Sequence, residues 1–166
     1  IVLRKPRRII FKKLKQKSPA IKNMKTYIFE IKFLEVKKIV REIEMPEKMN
    51  LYQLAKAIIG AYGFDFDHAF GFFSKITADW QLTESEKMYE LFADMEDEGI
   101  EPTGAKSVKK TKIGKVWEKP GDKMMFLFDY GDDWRWIITL KGFGEMEANI
   151  KYPRIIKKIG KDPKKY

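Results

Sequence analysis

The chain has 166 residues, of which 44% are hydrophobic and 14% aromatic, and this length and composition predict one folded domain rather than a disordered chain. It contains no cysteine and only one histidine, which excludes disulfides, thiolate metal ligands and any metal site that needs two histidines. No apolar run reaches the ~18 residues of a membrane span, so we expect a cytoplasmic protein without a membrane partner.

The net charge of +10 is unevenly distributed along the chain. Residues 1–23 carry a net charge of +9 and residues 151–166 a net charge of +6, whereas the residues between them carry −5. Because the basic ends flank a mildly acidic body, the isoelectric point of about 9.5 does not by itself indicate a basic face on the folded domain.

Residues 1–23 are predicted to form a flexible basic arm, followed by a single domain over residues 24–166 that ends in a basic tail. A short helix after Pro6 fits the pattern, but a helix of this length is not stable in water without tertiary contacts. Basic side chains neutralise phosphates, which makes seven residues of the arm candidate nucleic-acid contacts: Arg4, Lys5, Arg7, Arg8, Lys12, Lys13 and Lys15. The alternatives are tails that only maintain solubility, or that dock on an acidic surface of the protein.

The first elements of the domain follow from hydrophobic periodicity. Alternating apolar residues over 27–34 and 39–45 predict two strands, and their short connection predicts an antiparallel pair. Asn50 is a good N-cap for a helix over about residues 51–62, whose apolar residues form one stripe, and Gly63 is well placed to end it.

A third strand and a second helix are predicted next. Residues 67–76 have a strand pattern. Thr83 and Glu86 form a capping box that would start a helix ending at Gly99, and the outer surface of this helix, over residues 84–98, is strongly acidic. Its core face would consist of apolar residues at helical spacing: Met88, Leu91, Phe92 and Met95.

Residues 125–136, MFLFDYGDDWRW, are the most informative stretch and predict a hairpin within residues 124–141. Gly131 would supply the positive φ of a two-residue turn. Such a turn pairs Tyr130 with Asp133, and Asp129 with Trp134.

The second strand of this hairpin has one apolar face. Its alternate residues are typical of a buried strand rather than of a platform for stacked bases: Trp134, Trp136, Ile138 and Leu140. With a final extended stretch near residues 150–156, the elements run in the order β-β-α-β-α-β-β. We therefore predict an α+β fold in which two main helices pack against an antiparallel or mixed sheet.

Five segments of the chain are together similar to one known family. They read REIEMP, NLYQLAKAIIGAYGF, DFDHAFGFF, PGDKMMFLFDYGDDW and YPRIIKKIGKDPKKY. The most specific feature is the FDYGDDW box, when it is paired with the upstream GFDFDH box. Over residues 27–166 the chain resembles the plasmid pRi ORF-three-like family, which is also labelled as passenger resolvase-like proteins of insertion elements.

This resemblance implies a compact α+β domain without a known biochemical function, associated with mobile elements. No catalytic motif accompanies the resolvase-like label. Phe64 stands where many members have tryptophan, Trp136 stands where many have histidine, and the cysteines that many members carry after the Tyr-Pro pair are absent. A cysteine or histidine metal role at those positions is therefore excluded, and neither a metal nor another cofactor is predicted.

His68 and four aspartates are the candidate residues for chemistry. An imidazole near carboxylates would be the basis of a metal-assisted or hydrolase-type enzyme, with Asp65, Asp67, Asp129 and Asp132 as the carboxylates. In the predicted hairpin, neighbouring carboxylates point to opposite faces, and turn aspartates often accept hydrogen bonds from backbone N–H groups, so we favour a structural role for them. We likewise expect His68 to be a hydrogen-bonded histidine in the core or at its rim.

Three functions remain open at this point. The preferred hypothesis is an uncharacterised, non-enzymatic binding or accessory module that contacts nucleic acid through its basic ends. An enzyme built around His68 is the first alternative. The second is a protein-interaction domain that uses the acidic helix over residues 84–98, with a homodimer in which the basic tail of one subunit lies on the helix of the other.

Overall fold

The computed structural model describes residues 23–165. Almost all of the predicted arm, residues 1–22, lies outside the described residues. The same holds for its seven candidate nucleic-acid contacts: Arg4, Lys5, Arg7, Arg8, Lys12, Lys13 and Lys15.

The described residues form one eight-stranded sheet and one α-helix. In chain order the elements are β1 (Lys25–Phe33), β2 (Val40–Pro46), α1 (Leu51–Ala61), β3 (Phe70–Phe73), β4 (Met88–Glu90), β5 (Lys106–Ser107), β6 (Lys123–Phe128), β7 (Trp134–Glu145) and β8 (Arg154–Ile159). Short 3-10 turns lie at Trp80–Glu84, Leu91–Asp94, Glu96–Glu98 and Ile113–Lys115. The strand order is β5-β4-β3-β6-β7-β1-β2-β8, and every pair is antiparallel except β4 with β5.

The first strand pair and α1 confirm the sequence predictions. β1 and β2 pair antiparallel, with Phe29 opposite Ile43. At the start of α1, the N–H of Gln53 donates to the Asn50 side chain at 2.8 Å, and the N–H of Asn50 donates to the Gln53 side chain at 3.0 Å. This reciprocal capping box satisfies two backbone donors that a helix N-terminus would otherwise leave free. The left-handed backbone of Gly63, with φ of 74°, follows the helix.

The core lies between α1 and one face of the sheet. The apolar stripe of α1 is fully buried against side chains of the central strands. The apolar face predicted for β7 belongs to this core, with Trp136, Ile138 and Leu140 fully buried and Trp134 partly buried at its margin. Burial of these indole rings confirms that the stripe is a packing face rather than a stacking platform.

The prediction of two main helices on the sheet is wrong, because the described residues contain only α1 as an α-helix. Residues 83–99 form strand β4 flanked by 3-10 turns. β4 pairs with β3 and buries Tyr89. The side chain of Ser85 accepts the N–H of Lys75 at 2.9 Å, which holds this segment against the chain that follows β3. Hydrogen bonds to a distant strand have outweighed the local helical pattern.

The acidic helix over residues 84–98 consequently does not exist, and the protein-interaction alternative and the homodimer built on it lose their proposed surface. Part of its acidity serves the local structure. Asp94 accepts a hydrogen bond from the Ser107 hydroxyl at 2.5 Å and further bonds from the N–H groups of Val108 and Lys109. These bonds hold β5 beside the 3-10 turn that follows β4.

The hairpin between β6 and β7 is present, but its turn differs from the prediction. Phe128 pairs with Trp134, so the connection contains five residues rather than two. Positive φ angles occur at Asp129 (60°) and Asp133 (58°), not at Gly131. The Asp129 side chain accepts the N–H of Gly131 at 3.0 Å, and its carbonyl accepts the N–H of Asp133 at 2.7 Å. Asp129 therefore organises the turn by accepting backbone N–H groups, and the register differs from the predicted one.

Candidate functional site

The GFDFDH and FDYGDDW boxes meet in the folded protein. His68 Nδ1 lies 2.7 Å from Asp67 Oδ1, and His68 Nε2 lies 3.4 Å from Asp129 Oδ2. Backbone contacts fix this meeting point, because the N–H of Asp129 donates to the carbonyl of Ala69 at 2.9 Å. The sole histidine of the chain is therefore placed between two carboxylates that are 62 residues apart in sequence.

The geometry favours a protonated His68. Each ring nitrogen faces a carboxylate oxygen, and a neutral imidazole would turn one unprotonated nitrogen toward a carboxylate. The hydrogen bond with Asp67 raises the pKa of His68, and the charges of Asp129 and Asp132 raise it further. An imidazolium whose two nitrogens are both engaged is poorly suited to be a general base or a metal ligand.

The five candidate residues do not form one compact site. His68, Asp67 and Asp129 lie together, and Asp132 contributes its charge from the exposed turn. Asp65 is exposed and makes no hydrogen bond or ion pair within residues 23–165. No group of three His, Cys, Asp or Glu side chains in this part of the chain is arranged to hold a metal ion. His68 is itself exposed and lies in the loop before β3, at the rim of the core.

An aromatic cleft of about 290 Å³ lies beside this group. Phe66 stacks on Phe128 with ring centroids 6.2 Å apart, and His68 meets the same ring edge-on at 5.8 Å. Tyr52 from α1 and Phe92 from the turn after β4 complete the cleft. The contact of the His68 ring with Phe128 helps to hold the Asp67–His68–Asp129 group in place.

The basic C-terminal region lies along an open edge of the sheet. We define the basic edge as the seven cationic side chains of β8 and its flanks: Lys151, Arg154, Lys157, Lys158, Lys161, Lys164 and Lys165. β8 is the last strand of the sheet, so one of its sides is unpaired among the described strands. Residues 151–166, which carry the basic edge, have a net charge of +6, because Asp162 is the only acidic residue in this region.

Some of these cations are neutralised within the protein. Arg154 pairs with Glu44 at 2.7 Å and with Glu147 at 2.9 Å, and Lys158 pairs with Asp162 at 3.2 Å. Within the described residues, by contrast, four lysines of the basic edge have no ion pair: Lys151, Lys161, Lys164 and Lys165, the last of which lies 5.4 Å from the centre of the Phe64 ring. These ion pairs were not predicted from the sequence. The one indication in the sequence was that the predicted second strand contains charged residues, which a strand inside the sheet must pair with other charges.

Comparison with known proteins places the chain in a family. The family model described as "Plasmid pRiA4b ORF-3-like protein" matches residues 25–165, and the chain therefore belongs to this family. A crystal structure of a protein of unknown function from Methanosarcina mazei Go1 superposes with a TM-score of 0.63 at 18% identity, over 82% of this chain and 70% of the other. At that identity the similarity shows a shared fold only. No curated protein matches the chain significantly.

These comparisons confirm the resemblance seen in the sequence. The family has no established biochemical function, and the structural neighbour is described in the same terms. Family membership therefore brings no activity with it. Across residues 23–165, none of the helical structure is long and apolar enough for a membrane crossing.

Proposed function

We propose that this protein is a non-enzymatic binding module that contacts nucleic acid through its basic ends. The observation that carries the proposal is the basic edge, where exposed lysines lie along and beside β8, the last strand of the sheet. A row of cations gains affinity for a phosphate backbone by releasing counterions, without any need for a base-specific pocket. The mildly acidic body of the protein would keep such contacts at the two basic ends.

The position of the strand ends supports joint action of the two basic segments. In the strand ladders, Glu44 of β2 lies opposite Ile28 of β1 on one side and opposite Arg154 of β8 on the other. β1 and β8 therefore begin at the same end of the sheet. Residues 1–22 are therefore attached at the end of the sheet where the basic edge starts. This point of attachment supports a proposal in which cations of both segments contact one phosphate backbone.

The engaged state of His68 is the reason to prefer binding over catalysis. Both of its nitrogens face carboxylates, and the hydrogen bond with Asp67 raises its pKa. A metal-assisted or hydrolase-type reaction would need one of these nitrogens to be free for a proton or a metal. The Asp67–His68–Asp129 group is better suited to joining the loop before β3 to the β6–β7 hairpin.

Fluorescence anisotropy with labelled single- and double-stranded DNA and RNA at several salt concentrations tests the proposal. The full chain is compared with a variant lacking residues 1–23 and with a triple variant, Lys151→Gln, Lys161→Gln and Lys164→Gln. We expect each change to weaken binding and to lower the salt slope by about 0.7–0.9 for every phosphate that the protein no longer neutralises.

A triple variant at lysines outside the basic edge is the matched control: Lys109→Gln, Lys110→Gln and Lys123→Gln. It removes the same charge from the protein and should change binding little. Equal effects of the two triple variants would mean that only net charge matters. Unchanged affinity and salt slope in both the truncated and the basic-edge variants would refute the proposal.

A further inference from the structure

A second cleft, with a volume of about 540 Å³, lies between α1 and the chain segment that leads into β8. Its floor and walls are largely apolar, with Ile43 from β2, Ala57 from α1 and Ile155 from β8. Two lysines lie at its rim, Lys56 on α1 and Lys151 before β8. The volume is in the range of clefts that bind ligands, and the mixture of apolar floor and cationic rim defines the chemistry of the occupant.

The open edge of β8 borders this cleft. β8 pairs with β2 on one side, and no described strand covers its other side. An unpaired strand edge offers backbone N–H and C=O groups to an incoming strand. Ile155 lies opposite Ile43 in the β2–β8 ladder and is 50% exposed, so an apolar side chain of the edge strand is left uncovered beside the cleft.

We infer that β8 and this cleft together bind an extended, acidic peptide segment of a partner protein by strand addition. The backbone of the segment would pair with the free edge of β8, and its alternate apolar side chains would enter the cleft between β8 and α1. Since side chains alternate along a strand, the acidic side chains between them would point to the other face of the sheet, and the cations of the rim and of the basic edge would attract them through their positive potential rather than by direct pairing. This inference goes beyond the proposed nucleic-acid contact and does not depend on it.

Charge selects this occupant over a second copy of the chain. Two copies paired edge to edge would bring the lysines of one β8, Lys157 and Lys158, toward those of the other, and like charges across paired strands are destabilising. Lysine on an edge strand is a common protection against indiscriminate pairing, and it does not oppose an acidic strand. A phosphate backbone could pair with the lysines, but it has no apolar groups that could pack against the floor of the cleft.

The bulge in β8 limits the length of the added strand. The ladder register shifts between the pairs Glu42–Lys157 and Ile43–Ile155, which leaves Ile156 as an extra residue in β8. The bulge therefore divides the outer edge of β8 into two short stretches, residues 154–155 beside the cleft and residues 157–159 beyond it, and a regular ladder is expected within such a stretch rather than along the whole strand.

Gly60 provides a specific way to fill the cleft. It lines the cleft from within α1, and a Cβ at this position would have no heavy atom within 4 Å. Gly60→Leu should therefore place its side chain in the cleft while α1 stays intact. Gly60→Ala is the matched control, because it makes the same backbone change and leaves most of the volume free. Lys56→Glu is a second variant, which changes the rim charge and leaves the cleft open.

The probe is a fluorescein-labelled octapeptide of alternating Glu and Val, compared with an octapeptide in which Lys replaces Glu. Anisotropy titrations and amide chemical shifts of the full chain are measured with each. We expect the Glu-Val peptide to bind the natural chain and Gly60→Ala alike, and to shift amides over 53–61 and 151–156. Gly60→Leu should bind it about tenfold or more weakly, as when an anchor side chain loses its pocket. Lys56→Glu should also weaken binding.

Several results would overturn the inference. One is no binding of the Glu-Val peptide by the natural chain, and another is equal binding by Gly60→Leu and Gly60→Ala. Equal binding of the Lys-Val peptide would remove the role of charge. Amide shifts at the cleft with single-stranded DNA, and none with the Glu-Val peptide, would assign the surface to nucleic acid instead. Loss of nucleic-acid binding in the basic-edge variant would leave this inference untouched, because the two tests use different probes.

Discussion

The fully buried guanidinium of Arg41 donates a hydrogen bond to the carboxylate of Asp162 at 2.7 Å, across 121 residues of chain. The same guanidinium donates to the backbone carbonyls of Ala61 at 2.9 Å, of Val40 at 2.9 Å and of Ile159 at 2.8 Å. One side chain of β2 therefore holds the end of α1, the end of β8 and the segment after it. A buried charge is tolerated here because all of its donor nitrogens have acceptors.

Replacing Arg41 with methionine should lower the free energy of unfolding by about 3 kcal/mol, the cost expected when one partner of a buried charged network is removed. The substitution retains much of the side-chain volume but leaves carbonyl groups without donors. Urea unfolding measures the change. Lys38→Met, at an exposed position near the same end of β2, is the control and should change stability little. A loss below about 1 kcal/mol for Arg41→Met would contradict the proposed importance of the network.

Asp162 should contribute to the acid sensitivity of the fold. The hydrogen bond from Arg41 lowers the pKa of Asp162. A carboxyl group whose pKa is lower in the folded state stabilises the protein above its unfolded pKa of about 3.9, and this stability is lost as the pH falls through the folded value. Asp162→Asn should therefore cost about 1 kcal/mol near neutral pH, since the side chain is 41% exposed and partly screened.

The measurement for Asp162 is the free energy of unfolding of both proteins between pH 7 and about pH 2. The difference between the natural chain and Asp162→Asn should shrink as the pH falls below about 4. A difference that stays constant over this range would show that Asp162 acts through something other than its charge.

His68 should titrate above its ordinary range, because the hydrogen bond with Asp67 raises its pKa and Asp129 adds to the effect. A histidine with a raised pKa stabilises the folded state fully below its unfolded pKa of about 6.5, and this contribution is lost as the pH rises through the folded value. The chain has one histidine, so a single imidazole signal in an NMR titration reports it. Asp67→Asn should lower the pKa more than Asp129→Asn. A pKa at or below the unfolded value in the natural chain would refute the imidazolium assignment.

Two glycines three residues apart should respond to alanine in opposite directions. Gly60 lies within α1 with open space at its Cβ position, so Gly60→Ala should raise the free energy of unfolding by about 0.5–1 kcal/mol. Gly63 has a φ of 74°, and a Cβ added at this position would lie 2.8 Å from a carboxylate oxygen of Asp162. Gly63→Ala should therefore lower the free energy of unfolding. Thermal unfolding of both variants measures this contrast. A destabilised Gly60→Ala would mean that the cleft cannot accept a side chain there.

Elements with strong local signals were predictable from the sequence. The β1–β2 pair, α1 with its Asn50 cap, and the buried face of β7 all follow from periodicity and capping within a few residues. Residues 83–99 have equally strong helical signals, yet they form β4 and 3-10 turns. The reason is that β4 can pair with the edge of β3 and that Tyr89 is buried in the core in this arrangement. Local patterns do not contain the position of a distant strand, so such competition is settled only in the folded chain.

The candidate site was likewise predictable only in part from local sequence. The sequence pointed to His68 and the aspartates of the two boxes. The backbone hydrogen bonding that it favoured for the turn aspartates is present at Asp129, whereas the Asp132 side chain makes no such bond among the described residues. The sequence did not bring His68 to Asp129, because the predicted two-residue turn had the wrong register and the two boxes come together through the pairing of β3 with β6, which local patterns do not reveal. The register of a hairpin depends on turn length, and Gly131 suggested a shorter turn than the one that forms.

Composition, charge segregation and family membership can be read from the amino-acid sequence, because each depends only on which residues are present and in what order. Three features were decided by tertiary structure: the buried Arg41 network, the open edge of β8 beside a cleft on α1, and the carboxylates around His68. Each of them joins segments that are far apart in the chain, and their contact depends on strand order and register. Long-range packing and hydrogen bonding determine that order, and no short stretch of sequence encodes it.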